Sequence, residues 1–423
     1  MKKVYAKVSD RTGFFEGCDP VELAKKYGTP LYVYNERILR SRCRQLKNMV
    51  TYPNFVVDYS AKANSNLAIL QIVKSEGLEA DAMSPGEIYV ERMAGFAPEE
   101  IFYICNNVSE EEMEYAIREG VTVSVDSVSQ LEQFGRLAPG GRVAVRFNPG
   151  VGAGHHEKVV TAGKKTKFGV DPEFIPQIKE ILKKYNLHLA GINQHIGSLF
   201  MSGEAFVESI GSLLEIARQF PDLEFIDMGG GFGIPYHKEE DEAALDLEGL
   251  GREIDKALFA FSEEYGRMVT FRIEPGRYIA AECGMILGQV HSVKHNHDKK
   301  FVGCDVGFNV LVRPAMYDSY HGVEIYREED RDSEREEMVT IVGNICESGD
   351  ILAKDRELPE IFEGDILGVL DAGAYGTVMS SNYNNRLRPA EILIREDGRV
   401  ELVRERDTLE DLTRRMRRIN LHS

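Results

Sequence analysis

The sequence predicts an α/β protein, a (β/α)8 TIM-type barrel joined to a discontinuous, β-rich C-terminal domain. Three observations carry that expectation. Between residues 55 and 274, eight short strand-like runs are separated by amphipathic helical stretches. The C-terminal ends of those runs carry polar or glycine residues. After Glu274 the alternation stops, and strand-type runs follow one another with no long helix between them.

The eight runs are "FVVDYSAKA", "LEADAMS", "IFYICN", "VTVSVDS", "RVAVRFN", "LAGINQHIG", "FIDMGG" and "TFRIEPG". Between them lie "NLAILQIVKSEG", "PGEIYVERMAGF", "SEEEMEYAIREG" and "DPEFIPQIKEILKKYN", several opening on a Ser, Asp or Pro of the kind that starts helices. Beyond the barrel come "MILGQVHSVKH", "KKFVGCDVG", "EMVTIVGNIC" and "GDILGVLDAG", then "AEILIREDGRVELV", a hairpin with an Asp-Gly turn. A closing helix is expected over "DTLEDLTRRMRRIN". The early run "TPLYVYN" is expected to add a strand to the second domain, giving a barrel over 35–280 and a β-rich domain made of 1–34 with 281–423. The acidic stretch "YREEDRDSEREE" reads as a solvated loop.

The chain has 423 residues, 43% hydrophobic and 28% charged, which is ordinary globular usage. A formal charge of −18 repels phosphate backbones and anionic lipid surfaces, so neither nucleic acid nor a membrane is expected as a partner. The start "MKKVYAKVSDRTG" has no apolar stretch behind its lysines, and no run of about 18 apolar residues occurs, so the expectation is a cytoplasmic protein. Six cysteines, at 18, 43, 105, 283, 304 and 346, form no C-x-x-C pair, and five read as small core residues.

Barrel active sites lie at the C-terminal ends of the strands. There the sequence places Lys62, Asp81 with Ser84, Asn106, Asp126, Asn148, His195, Gly229 to Gly231, and Glu274. In "DMGGGFGIPY" three consecutive glycines permit a phosphate-binding nest, although a tight strand-to-helix turn accounts for them equally well. A lysine at a strand end, a glycine cup and a histidine in one mouth match what pyridoxal 5′-phosphate needs: an amine, a phosphate site and a ring platform. Lys62 alone reads as a rim lysine; with the other groups it reads as that amine, and burial is expected to favour its neutral form. In "EPGRYIAAECG", Glu274 can pair with a pyridine nitrogen, and the Arg277 fork suits a carboxylate or phosphate.

The motifs "YSAKANSN", "EADAMSPGEI", "HIGS", "DMGGGFGIPY", "EPGRYIAAECG", "RPAMYDSYH", "NICESGD" and "DAGAYGTVMSSNYN" resemble the diaminopimelate decarboxylase family of fold-type III pyridoxal-phosphate enzymes, from about residue 28 to 393. The resemblance implies decarboxylation of meso-diaminopimelate to lysine and carbon dioxide, the last step of lysine biosynthesis, by a homodimer with shared active sites. It makes Lys62 the Schiff-base lysine and His195 the ring platform, with Asp81 and Ser84 beside the cofactor. It gives the phosphate to Ser198, Gly229, Gly230, Gly231, Gly276 and Tyr375, and the pyridine nitrogen to Glu274. Substrate contacts fall to Arg277, Arg313, Tyr317 and Tyr375, with Glu347 and the proton donor Cys346 arriving from the other subunit.

Two departures from the family pattern stand out: Leu387 in "NYNNRLRPAEI", where proline is usual, and the variable segment "VGAGHHEKVVTAGKKTKFGV". Its His155 and His156 lack further ligand spacing, so no metal is expected, and a loop over the active site is preferred. The alternative activity is a related decarboxylase acting on D-ornithine, D-lysine or carboxynorspermidine. A racemase is disfavoured because "NICESGD" offers a thiol and a carboxylate where a tyrosine base is needed. A non-catalytic cofactor carrier should lack the "CESGD" and "AGAYG" motifs.

Overall fold

The computed structural model describes residues 7–148, 150, 167–328 and 335–420. Residues 151–166, with His155 and His156, and residues 329–334 of the acidic stretch lie outside the described residues, and with them the loops expected there. The chain forms two compact units: Leu39–Pro235 with Ala243–Ala280, and Met1–Ile38 with Tyr236–Glu242 and Ala281–Ser423.

The first strand, β1 (Leu31–Asn35), belongs to the second of these units. The first unit is the barrel. Its strands are β2 (Phe55–Ser60), β3 (Glu79–Ala82), β4 (Ile101–Ile104), β5 (Thr122–Val125), β6 (Arg142–Arg146), β7 (His188–Asn193), β8 (Phe225–Asp227) and β9 (Thr270–Ile273). Each pairs in parallel with the next, and β9 closes on β2 with Phe55 opposite Phe271 and Val57 opposite Ile273. These eight strands are the eight runs expected from the sequence.

The strands are short and mostly buried on both faces, as parallel strands wrapped by helices must be. Phe102, Ile104, Ala144, Ala190 and Phe225 pack together, the rings of Phe102 and Phe225 meeting edge to face at 5.3 Å. A side chain at Gly191 would put its Cβ 2.3 Å from the Phe225 ring, so the glycine is the room that ring needs. Burying such a ring stabilises the fold by roughly 1.5–3 kcal/mol.

Helix starts follow local chemistry. The Ser84 hydroxyl accepts from the Glu87 amide at 3.2 Å and caps Pro85–Ala94. Ser109 and Glu112 exchange reciprocal bonds at the start of Glu110–Glu119. Left-handed Gly95 and Gly120 end those two helices.

The second unit holds a sheet of β10 (Gly284–Asn296), β11 (Lys299–Cys304), β12 (Val323–Tyr326), β13 (Glu336–Val342), β14 (Ile351–Pro359), β15 (Ile366–Val369), β16 (Ala390–Ile394) and β17 (Val400–Arg404), together with β1. The order is β14-β13-β11-β10-β1-β16-β17, with β15 also on β10 and β12 on β15. β1 lies between β10, antiparallel to it, and β16, parallel to it, which is the strand that "TPLYVYN" was expected to add. β16 and β17 form the expected hairpin.

The segment Tyr236–Glu242 joins this unit although it follows β8 in the chain. Lys238 reaches both Asp371 and Glu282, the latter at 3.0 Å, and His237 stacks on Tyr320 at 3.7 Å.

Three expectations need correction. The closing helix covers only Leu409–Thr413, and Leu409, Met416 and Ile419 stand exposed, because no packed apolar face extends it. The N-terminal helices Val8–Thr12 and Pro20–Tyr27 and the strands β12 and β14 were not foreseen. Of the cysteines, 43, 105, 283 and 304 are buried as expected, whereas Cys18 is only half-buried and Cys346 is exposed.

Candidate active site

At the mouth of the barrel β2 delivers Lys62 on a short 3-10 turn, Ala61–Ala63. The register of β2 and β3 sets Ser60 opposite Asp81. Lys62 Nζ therefore lies 3.3 Å from Asp81 Oδ2, and the Ser60 hydroxyl lies 2.9 Å from the same oxygen. Asp81 is fully buried, and among the described residues its other oxygen, Oδ1, has no partner. The Lys62 side chain remains 31% exposed. The dry surroundings expected for the amine are thus replaced by an ion pair with a buried carboxylate.

Beside β2, at the ends of β8 and β9, two carboxyl groups meet. Asp227, at the end of β8, and Glu274, just beyond β9, are buried and hydrogen-bonded to each other. Burial raises the pKa of both; for Glu274 the Asp227 and Asp81 charges add to it, while for Asp227 the hydrogen bond to Glu274 works against burial and leaves the group at about 7. Asp227 Oδ1 accepts the Gly229 amide at 2.8 Å, while among the described residues Asp227 Oδ2 and Glu274 Oε1 face no donor. One proton shared by the pair would satisfy the contact between them and leave Glu274 Oε1 as an acceptor.

His195, two residues past β7, takes the Gly230 amide hydrogen on Nδ1 at 3.2 Å. Burial holds its pKa well below the usual imidazole value, and the Lys62 and Arg146 charges push the same way. A ring that accepts at Nδ1 and titrates low is neutral, so its 3.8 Å approach to Glu274 Oε2 is a contact and not an ion pair. It is a flat, uncharged surface of the kind a cofactor ring stacks on.

The three-glycine run is as tight as its composition suggests. Gly229 and Gly231 have φ of +79° and +110°, and a Cβ on Gly230 would lie 1.9 Å from the Glu274 carbonyl oxygen. The Gly229 and Gly230 amides are committed to Asp227 and His195. The run therefore first locks β8 to its neighbours, and a nest of three free amides does not form. Nearby, buried Arg277 donates to the Ser198 hydroxyl from Nη2 at 2.9 Å, and a Cβ on Gly276 would meet Ala63 at 2.9 Å. Ser84 is occupied as the helix cap described above.

The remaining candidates belong to the second unit. Arg313, buried at the start of Arg313–Tyr317, lies over the Tyr236 ring at 5.7 Å and the Tyr375 ring at 6.0 Å. It donates from Nε to His321 Nε2 at 3.4 Å and from Nη2 to Ser319 Oγ at 3.2 Å. His321 Nδ1 lies 2.8 Å from the Leu370 carbonyl, which can only accept, so Nδ1 carries the proton and Nε2 is free to accept from Arg313. Tyr317, at the end of that helix, is half-buried. Cys346 and Glu347 sit side by side on an exposed loop, with Tyr383 donating to Glu347 Oε1 at 2.6 Å.

The structure thus brings together Lys62, Asp81, His195, Glu274 and the glycine run in the barrel, and Arg313 with Tyr375, and Cys346 with Glu347, in the other unit. Sequence reasoning passed over Asp227, Arg146 and His321. Asp227 and His321 stand inside motifs that were singled out, and a buried-type acid directly before three glycines was the available signal. Arg146 ends β6, and its buried charge acts on Glu274, Asp126, Asp227 and Asp81.

Residues 36–281 match the family model described as pyridoxal-dependent decarboxylase, pyridoxal binding domain. Over 407 residues, 94% of each chain, the sequence is 45% identical to diaminopimelate decarboxylase of Methanothermobacter thermautotrophicus. It is 35% identical to that of Escherichia coli, over 93% of this chain and 94% of the relative. Diaminopimelate decarboxylase from Helicobacter pylori, solved in complex with L-lysine, superposes with a TM-score of 0.85 at 32% identity, covering 93% of this chain and 98% of that one. The enzyme from M. jannaschii, also in complex with L-lysine, gives 0.84 at 35% identity over 94% of each chain. The chain belongs to the diaminopimelate decarboxylase family of pyridoxal-dependent decarboxylases.

Proposed function

We propose that the chain decarboxylates meso-2,6-diaminopimelate to L-lysine and carbon dioxide, the last step of lysine biosynthesis, using pyridoxal 5′-phosphate. The observation that carries the reading is identity of 35–45% to diaminopimelate decarboxylases over nearly the full length, which includes both the barrel and the motifs of the second unit. The barrel residues fit the cofactor: Glu274 Oε1 is a buried acceptor with no donor, as a pyridine N–H requires, and His195 offers a neutral ring. When bound, the cofactor supplies an amine-reactive aldehyde and a protonated ring that takes up the electron pair left by the departing carboxylate.

In this reading Lys62 holds the aldehyde and Asp81 orients Lys62. For the phosphate we propose Ser198, Gly231, Gly276 and Tyr375, with Gly229 and Gly230 shaping the turn that carries Gly231, and Ser84 as a cofactor neighbour. Arg277, Arg313, Tyr317 and Tyr375 bind substrate. The distal head of meso-diaminopimelate carries both a carboxylate and an ammonium, for which an arginine and Glu347 are matched. A substrate lacking the distal carboxylate forgoes a charge-assisted hydrogen bond to that arginine, which favours meso-diaminopimelate. Cys346 gives the proton that replaces the carboxylate. Cys346 and Glu347 act on the barrel of a second copy, so the working form is a homodimer with shared sites, its β-rich domain supplying substrate and interface residues. Among the described residues no helix is long and apolar enough to cross a membrane, and we place the enzyme in the cytoplasm.

Carbon dioxide release by the purified protein on meso-diaminopimelate, D-lysine and carboxynorspermidine tests the reading. The expected result is turnover on meso-diaminopimelate at least about a hundredfold above the other two. Preferential turnover of either of the others would replace it.

A further inference from the structure

The loop that carries Cys346 is gripped by a second segment to which no role has been given. The Cys346 amide donates to Asn384 Oδ1 at 3.0 Å, and Asn384 Nδ2 lies 3.2 Å from Cys346 Sγ. The first bond fixes the orientation of the amide group: a backbone N–H can only donate, so the atom facing it is the oxygen, and the atom facing the sulfur is the NH2. One side chain therefore bridges the backbone and the sulfur of one cysteine, which holds that thiol to a single direction.

The arrangement is built in depth. Asn384 has φ +55° and ψ 24°, and the next residue, Asn385, has φ +54°, a left-handed backbone that asparagine tolerates better than most side chains. On either side of it, Tyr383 donates to Glu347 while its ring stacks on Phe308 at 5.7 Å, and Arg386 donates to the Asn344 carbonyl at 2.8 Å. Beneath the loop, buried Asp350 accepts the Ile345 and Phe308 amides, each at 2.7 Å. Residues 383–386 thus hold 344–347 at three successive points.

We propose that Asn384 is a positioning residue for the protonation step, presenting the Cys346 thiol and stabilising the thiolate that remains after transfer. This rests on the reading of Cys346 as proton donor. The S–H bond breaks as a C–H bond forms at the carbon that lost its carboxylate. The sulfur keeps the electron pair and the negative charge, the Asn384 N–H donates to it, and a proton from solvent restores the thiol. Hydrogen bonds to a charged group are the stronger kind, so the contact tightens as the charge appears.

Asn384→Asp separates placement from charge. It keeps an oxygen for the Cys346 amide and sets an anionic oxygen, in place of a donor, against the sulfur. The expected result is kcat lower by roughly 10- to 100-fold with KM for meso-diaminopimelate within about twofold, and slower alkylation of Cys346 by iodoacetamide, read from its peptide mass. Asn384→Gly, which keeps the left-handed backbone, should lower kcat as well and serves if the aspartate variant does not fold. Wild-type kcat in the folded aspartate variant overturns the inference, as does wild-type kcat in the glycine variant. Cys346→Ala distinguishes the two levels: if it turns over like wild type, the reading of Cys346 fails and this inference with it. If Cys346→Ala is impaired while the Asn384 variants are not, only the inference fails.

Discussion

Asp227 and Glu274 lie together at the ends of adjacent strands, two buried carboxyl groups close enough to share one proton. Their pKa values are raised in the folded chain, so their contribution to stability is fully present below about pH 4, where the unfolded chain is also protonated. It is lost as pH rises toward the folded values, about 7 for Asp227. In that window the loss approaches about 1.4 kcal/mol per pH unit for each proton retained only by the folded state. Asn at position 227 keeps a partner for the pair and removes one titrating group. The melting temperature of the cofactor-free Asp227→Asn protein should therefore fall less between pH 5 and 7.5 than that of the wild type. Parallel pH curves for the two proteins would contradict the shared proton.

Lys62 pairs with Asp81 from a part-exposed position, so its loss should disturb chemistry far more than folding. Lys62→Ala should lower turnover by at least about a thousandfold, and borohydride should no longer fix cofactor mass to the peptide that contains residue 62. The melting temperature should change by no more than a few degrees. Covalent trapping that persists in the variant would move the attachment site elsewhere.

His321 accepts from Arg313 because its other nitrogen is held by the Leu370 carbonyl. His321→Leu fills similar space without an acceptor and leaves the Arg313 fork less restrained. We expect KM for meso-diaminopimelate to rise by about tenfold with kcat changed little if, as proposed, the arginine holds a part of the substrate remote from the reacting carbon. A drop in kcat at unchanged KM would place Arg313 in the chemical step.

The barrel was legible because its strands are buried on both faces and read as near-continuous apolar runs with polar ends, which no loop or helix imitates eight times in order. β14 escaped notice for the opposite reason: "ILAKDRELP" is an edge strand with only two fully buried side chains, and its charges resemble those of a loop. The closing helix was overread because "DTLEDLTRRMRRIN" has a good start, Thr408 with Asp411, and nothing to pack on. At the site, Lys62, His195 and Glu274 were legible as strand ends. The commitment of the Gly229 and Gly230 amides was not, since it depends on Asp227 and His195 arriving from adjacent strands, and composition cannot report which amide a side chain takes.

The proposed sharing of sites between two copies makes a prediction that single variants cannot. Lys62→Ala removes a barrel residue, and Cys346→Ala removes a residue of the other unit. If Cys346 serves the barrel of its own chain, mixing the two inactive proteins yields no working site. If it serves the partner's barrel, each mixed dimer holds one site with both residues intact and one with neither. Random reassortment of equal amounts makes half of all dimers mixed, so activity should recover to about 25% of the wild-type value. The recovery should require conditions that let subunits exchange, and the unmixed variants should stay inactive under the same treatment. Recovery well below that value, with exchange verified by mass-tagged subunits, would mean that each chain completes its own site.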